Sequence, residues 1–184
     1  MIQKIIAILL LILLAPIFLL VSIIVWLDDG HPLLYIQKNY GKNQTVFNLY
    51  KFRTMKKGTP SIPTEEMIQP KKYLLRSGNI IRKFSLDELP QFFNVLNGTM
   101  NIIGPRPCMI KNEEIINNLR KKYGVDKIKP GITGLAQVNG RDANNYLSKV
   151  EWDKKYMENK SLLLDLKIVL KTIYVILIPK NIKH

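Results

Sequence analysis

A mostly helical α+β fold, entered through a membrane-inserted N-terminal helix, is predicted by three features of the sequence. Residues Ile5 to Leu27 carry no charge over a length that suits the hydrocarbon core, which a helix of about 20 residues crosses. Two strand-like runs, Leu33 to Gln37 and Thr45 to Met55, flank Asn39-Tyr40-Gly41-Lys42-Asn43 and read as a β-hairpin. Tyr146 to Met157 reads as a helix, and so does Leu162 to Ile178. Asp165, Lys167 and Lys171 interrupt the latter, which is unfavourable for a span and ordinary for an amphipathic helix lying in a membrane interface; a buried core helix is the alternative.

The first 30 residues are therefore expected to form an anchor and residues 31–184 a second domain at the membrane face. Lys4 and Asp28-Asp29-Gly30 flank the apolar run, and no small-x-small cleavage site follows Trp26-Leu27, so the segment is read as retained. Pro16 removes one backbone donor in mid-segment and frees the carbonyl of Ile12, which predicts a kink at Ala15-Pro16. The helix then either re-enters, returning to the side it came from, or crosses as a kinked span.

A length of 184 residues fits one modest domain, and 28 Lys plus Arg against 14 Asp plus Glu give a net charge of +14. Such a chain calls for an anionic partner. Nucleic acid is one candidate, but a basic face beside a hydrophobic anchor equally suits an anionic leaflet or a phosphorylated lipid; with the anchor, the expected partner is the lipid and no nucleic acid is expected. The single cysteine, Cys108, excludes an internal disulfide framework and, without a histidine motif, reads as an inert thiol. His31 and His184 are too isolated to build a metal site.

The chemistry concentrates in Phe84-Ser85-Leu86-Asp87-Glu88-Leu89-Pro90-Gln91 and in Gly104-Pro105-Arg106-Pro107. Ser85 and Glu88 have capping-box spacing and Pro90 fits near a helix start, which places Asp87 and Glu88 at a helix N-terminus. There the helix dipole would ease ionisation of Asp87, and an ionised carboxylate can attack phosphorus once a metal ion masks the substrate's charge. Helix capping alone is the plain alternative. Arg82 and Lys83 precede the acids, and Arg106 is held between two prolines that fix the local backbone. A guanidinium fork matches phosphate oxygens, so a pinned arginine near paired acids suggests a pocket for phosphate and a divalent cation. Adjacent helical positions diverge by roughly 100°, which favours different tasks for Asp87 and Glu88. On the second strand, a period of two puts Lys51 and Arg53 on one face, either solvated or facing the acids.

Residues 56–70 read as a loop, and Pro70 to Arg76 with Ile80 to Lys83 as a helical approach to the acids. Met109 to Tyr123 reads as a surface helix closed by Gly124, with Glu113-Glu114 and Arg120-Lys121-Lys122 forming a solvated face. Lys129 to Arg141 is a glycine-punctuated loop of the kind that can approach phosphates, although it matches neither a Walker nor a dinucleotide fingerprint.

Taken together, Ser85-Leu86-Asp87-Glu88-Leu89-Pro90-Gln91, Asn94-Val95-Leu96, Gly104-Pro105-Arg106-Pro107 and Lys129-Pro130-Gly131-Ile132-Thr133-Gly134-Leu135 resemble the bacterial sugar transferases, the monotopic phosphoglycosyl transferases. Lys51-Phe52-Arg53-Thr54-Met55 is similar to that family's basic strand. The resemblance implies transfer of a phospho-sugar from a UDP-sugar to a polyprenol phosphate such as undecaprenyl phosphate, with release of UMP, at the cytoplasmic face of the bacterial inner membrane. It implies Asp87 as nucleophile, Glu88 as ligand of Mg²⁺, Lys51, Arg82 and Arg106 as phosphate-binding cations, and Arg141, Gly131 and Thr133 at the nucleotide. It also implies a re-entrant first helix. Two departures stand out: Ala15-Pro16 replaces the family's Ser-Pro, and Thr99 stands where an acid is common.

Two other readings make distinct predictions. A non-catalytic basic protein binding the membrane surface would tolerate Asp87→Asn, and a glycosyltransferase moving the sugar alone would release UDP.

Overall fold

The computed structural model describes residues 2–60, 67–110, 114–140 and 145–177. The apolar segment forms two helices, α1 (Ile2–Leu13) and α2 (Ala15–Asp29), bent by 62° at the break. The bend falls where Pro16 was expected to place it. Proline opens α2 in its first turn, where its missing N–H leaves nothing unpaired. Among the described residues no single helix is long and apolar enough to cross a membrane, and only the bent pair together reaches that length and composition.

Both helices share cores with the elements that follow. Ala7, the buried residue of α1, sits against Phe47, Leu49, Phe92, Val95 and Met100. Val21 and Val25 of α2 pack with Phe52, Leu75 and Ile81. Their other sides leave Ile5, Leu9, Ile12, Leu19, Leu20 and Trp26 exposed.

The hairpin pairs β1 (Leu34–Tyr40) with β2 (Val46–Phe52), in a register running from Leu34↔Phe52 to Tyr40↔Val46. Its loop is a 3₁₀ turn, Lys42–Gln44, in which Asn43 takes a left-handed conformation that asparagine tolerates. Beyond Gly78, a short helix α3 (Gly78–Lys83) and α4 (Gln91–Leu96) flank the acids. The approach from Pro70 is a 3₁₀ turn followed by a bridge between Met55 and Leu74 rather than one helix.

β3 (Asn101–Ile103) leads into the Pro-Arg-Pro segment and then β4 (Cys108–Met109), which adds to the hairpin in the order β2-β1-β4. The surface helix expected from Met109 thus starts later: Cys108 and Met109 are strand, and α5 spans Glu114–Lys122, closed by Gly124 at φ 72°. The expected glycine loop also contains regular structure. β5 (Gly131–Thr133) runs parallel to β3, and α6 (Leu135–Val138) follows it.

α7 (Tyr146–Glu158) and α8 (Leu162–Leu177) are the last elements among the described residues. Ile168 of α8 is buried with Ile103, Leu135 and Tyr156, while Leu162, Leu166, Leu170, Ile173 and Leu177 are exposed. The last helix is amphipathic, with its larger apolar share outward.

Candidate active site

The site is assembled where the hairpin meets the α3–α4 connection. Asn94, fully buried on α4, accepts a hydrogen bond from Tyr50 N at 3.1 Å and donates to the Asn48 carbonyl at 2.7 Å. This amide clips α4 to β2 and fixes the strand that carries Lys51. Thr99 lies in the same network, donating to Asn97 Oδ1 at 2.8 Å, so it closes the turn after α4 instead of facing ligand.

Ser85 does not cap a helix. It ends α3 in a left-handed conformation (φ 56°, ψ 25°), which costs a non-glycine residue roughly 1–2 kcal/mol, and it makes no side-chain cap bond. The chain then forms a 3₁₀ turn, Leu86–Glu88, one step ahead of α4. A turn this short has little macrodipole, so the expected easing of Asp87 ionisation is not what governs this carboxyl. Burial pushes Asp87 up from the ordinary carboxylate range and Glu88 adds to the rise, against the pull of Lys51, Arg82 and Arg106. Leu86 and Leu89, on either side of the acids, pack into the core, which orients the turn.

Cations converge on it. Arg106 Nη2 donates to Glu88 Oε1 at 2.8 Å, and Lys51 Nζ is 3.8 Å from the same oxygen. Arg82 Nε donates to Thr54 Oγ1 at 2.9 Å. Burial pushes the Lys51 ammonium below its ordinary range despite the neighbouring carboxylates. Lys51, Arg53, Arg82, Asp87, Gln91 and Arg106 all line one cavity of about 460 Å³, in the size range of a small-molecule site. Arg53, expected on the same face as Lys51, does line it, but its guanidinium is committed to Asp29 and to the carbonyls of Gly30 and Pro32.

The Pro-Arg-Pro segment is held from behind. Arg120 Nη1 donates to the Arg106 carbonyl at 2.7 Å, and Nη2 and Nε donate to Asp153 Oδ2 at 2.7 and 3.1 Å. Arg120 is thus not part of a solvated face: it and Asp153 are buried. The signal was a charge inside an apolar stripe, Arg120 four residues after Ile116 on α5, and Asp153 between Val150 and Tyr156 on α7. Cys108 is buried beside this pair, its sulfur accepting from Arg120.

The structure therefore brings Lys51, Arg82, Asp87, Glu88 and Arg106 together, and leaves Gly131 and Thr133 away from the cavity. A Cβ on Gly131 would lie 2.1 Å from Gly104 N, so this glycine permits backbone to meet backbone across β3 and β5. Thr133 shares a hydroxyl hydrogen bond of 2.7 Å with Thr172. Arg141 lies outside the described residues. Among the described residues no three metal-ligating side chains cluster. Mg²⁺ is commonly held by one or two carboxylates with substrate phosphates and water, and the hard oxygens of Asp87 and Glu88 fit that donor set.

The sequence matches the bacterial sugar transferase family over residues 1–179. It is 39% identical over 183 residues to the exopolysaccharide production protein ExoY of Sinorhizobium fredii, covering 91% of this chain and 80% of that one. It is 37% identical over 174 residues to the UDP-glucose:undecaprenyl-phosphate glucose-1-phosphate transferase of Escherichia coli, covering 91% of this chain and 38% of that longer protein. The UDP-N-acetylgalactosamine-undecaprenyl-phosphate N-acetylgalactosaminephosphotransferase of Aeromonas hydrophila is 35% identical over 170 residues, covering 89% and 40%.

Proposed function

The chain belongs to the bacterial sugar transferase family and is a transferase; from that premise we propose that it moves a sugar phosphate from a UDP-sugar to undecaprenyl phosphate, releasing UMP. The observation that carries this reading is the convergence of Lys51, Arg82 and Arg106 on the cavity holding Asp87, with Glu88 bonded to Arg106. Three cations against two acids leave the site net positive, which suits a diphosphate donor. Two of the relatives are named for UDP-glucose and UDP-N-acetylgalactosamine, both with undecaprenyl phosphate.

In the first step an Asp87 carboxylate oxygen bonds to the sugar-linked phosphorus, and the bond from that phosphorus to the bridging oxygen breaks. UMP leaves with the bridging oxygen. In the second step an oxygen of undecaprenyl phosphate bonds to the same phosphorus and Asp87 is released, giving the polyprenyl-diphosphate sugar. Lys51, Arg82 and Arg106 neutralise phosphoryl oxygens as charge redistributes, the usual way positioned cations accelerate phosphoryl transfer. Glu88, with donor phosphate oxygens, would hold Mg²⁺, which supplies charge masking at the diphosphate when bound. Glu88 also keeps Arg106 aimed at the site in its absence.

The acceptor is confined to the bilayer, and the apolar outer sides of α1, α2 and α8 suit seating at headgroup depth. The 62° bend supports a re-entrant anchor that leaves residues 31–184 on the cytoplasmic face of the inner membrane. Detergent-purified protein with Mg²⁺, undecaprenyl phosphate and a panel of UDP-sugars provides the test. UMP should appear only with lipid present, and Asp87→Asn should lower turnover by about 10⁴-fold or more, as expected when a covalent nucleophile is removed. Release of UDP would identify a glycosyltransferase instead, and undiminished UMP from the variant would remove Asp87 from the mechanism.

A further inference from the structure

Asn39 is 1% exposed, lines the cavity, and has both its amide nitrogen and its amide oxygen buried without a hydrogen-bond partner. A buried amide left unpaired is costly, and folded proteins rarely tolerate one that has no use. The strand explains where it points. Tyr35, Gln37 and Asn39 alternate along β1 and all line the cavity, opposite Lys51, Leu49 and Phe47 of β2, while Met109 of β4 faces Asn39 from the other side. Tyr35 stands opposite Lys51. Asn39 lies four residues further on, roughly 13 Å along a strand that rises about 3.3 Å per residue.

The two ends of this face differ in chemistry. Around Lys51 are the charges, with Tyr35, its partner across the hairpin, in the cavity wall, an aromatic residue on which a planar base can stack. Around Asn39 stand Phe47 and Met109, its partners on the two neighbouring strands, with Leu49 and Pro107 in the cavity wall, all apolar. A pyranose suits that end, because its ring faces are apolar and its edge carries groups that both donate and accept. A carboxamide offers one acceptor and two donors in a fixed plane, so it can do both at once.

Building on the transferase reading above, we infer that Asn39 is a specificity residue that hydrogen-bonds a hydroxyl or acetamido group on the sugar ring of the donor. The test compares the unaltered full-length protein in detergent with Asn39→Leu, similar in size and unable to hydrogen-bond, and with Asn39→Asp, which keeps acceptors and loses the donor. UDP-glucose, UDP-galactose and their N-acetyl counterparts are measured for binding by calorimetry without lipid acceptor, and for kcat/KM with it. UMP is titrated in parallel.

The expected result is that Asn39→Leu loses roughly tenfold in affinity and kcat/KM for the preferred UDP-sugar, the scale of one neutral hydrogen bond, so that discrimination among the sugars narrows. UMP affinity stays within about twofold, and the melting temperature does not fall, because an orphaned amide has been removed. Where Asn39→Leu does not fold, the change in sugar ranking is read from Asn39→Asp. Equal losses for UMP and every UDP-sugar would show that the amide reads the nucleotide, and unchanged ranking in both variants would show that it reads nothing; either result overturns the inference. The transferase reading fails separately, by absence of lipid-dependent UMP from the unaltered protein, and the binding data still decide the role of Asn39.

Discussion

Arg106 and Arg120 are joined by one hydrogen bond, yet they occupy opposite environments. The Arg106 side chain is 45% exposed and reaches over Glu88 at the cavity, whereas that of Arg120 is 9% exposed and locked on an Asp153 that is almost wholly enclosed. An exposed cation keeps its hydration and can turn from Glu88, a buried carboxylate that Lys51 also faces, toward a phosphate. A buried cation cannot let go of its partner, because desolvation would then be uncompensated. On the proposed mechanism Arg120 is accordingly a positioning residue: through the Arg106 carbonyl it fixes the backbone of an arginine that lines the cavity.

The largest expected effect on stability comes from breaking the buried member of this comparison. Asp153→Leu strands a charged Arg120 and should destabilise the fold by about 3–5 kcal/mol, on the order of 10 °C in melting temperature for a chain of this size. Adding Arg120→Met should recover most of that loss while leaving turnover depressed, since the Arg106 carbonyl has still lost its anchor. Thermal melts of the single and double variants, run beside UMP release, check both halves. Recovery of stability and full activity together would show that Arg120 has no positioning role.

The exposed member should behave in the opposite way. Arg106→Ala is expected to lower kcat/KM by roughly 10²–10³-fold, the scale of one lost electrostatic contact to a transition state, while costing less stability than Asp153→Leu, because the buried Glu88 carboxylate it leaves still faces Lys51. Arg106→Lys, which keeps the charge and loses the planar fork, should fall between the two. A fall in melting temperature comparable to that of Asp153→Leu would erase the distinction.

The same contrast explains what could be read from the sequence. Arg106 was legible because prolines on both sides mark a rigid loop, and Asp87-Glu88 because Arg82 and Lys83 precede the pair and that pinned arginine follows it. Pro16 announced the bend, and the alternation around Gly41 announced the hairpin. Arg120 was hidden in a run of three basic residues, where only its place four residues after Ile116 separates the buried one from its solvated neighbours. Ser85 had capping-box spacing, but tertiary packing of Leu86 and Leu89 overrode that local preference and produced a left-handed residue instead. Gly131 and Gly134 looked like room for a phosphate, yet the close approach they permit is to Gly104. A glycine shows that something comes near, and only the fold shows what.

A third arginine supplies the mildest case. Arg53 is 7% exposed, like Arg120, but its partner Asp29 stands at the protein surface with a side chain 31% exposed. The hydrogen bond from Arg53 holds the Asp29 carboxyl below its ordinary value of 3.8, with the Arg53 charge and the Lys57 N–H adding to the effect against partial burial. A carboxyl whose folded value is depressed contributes stability above the unfolded value, and that contribution disappears as pH falls through the folded one. The melting temperature of Asp29→Asn should therefore lie slightly below that of the unaltered protein at neutral pH, and the gap should narrow as pH falls below the ordinary value of 3.8. A gap that persists in acid would mean that Arg53 is held chiefly by the carbonyls of Gly30 and Pro32. The end of α2 would then be tied to the hairpin by backbone acceptors that do not titrate, and the pairing of Asp29 with Arg53 would be incidental to stability.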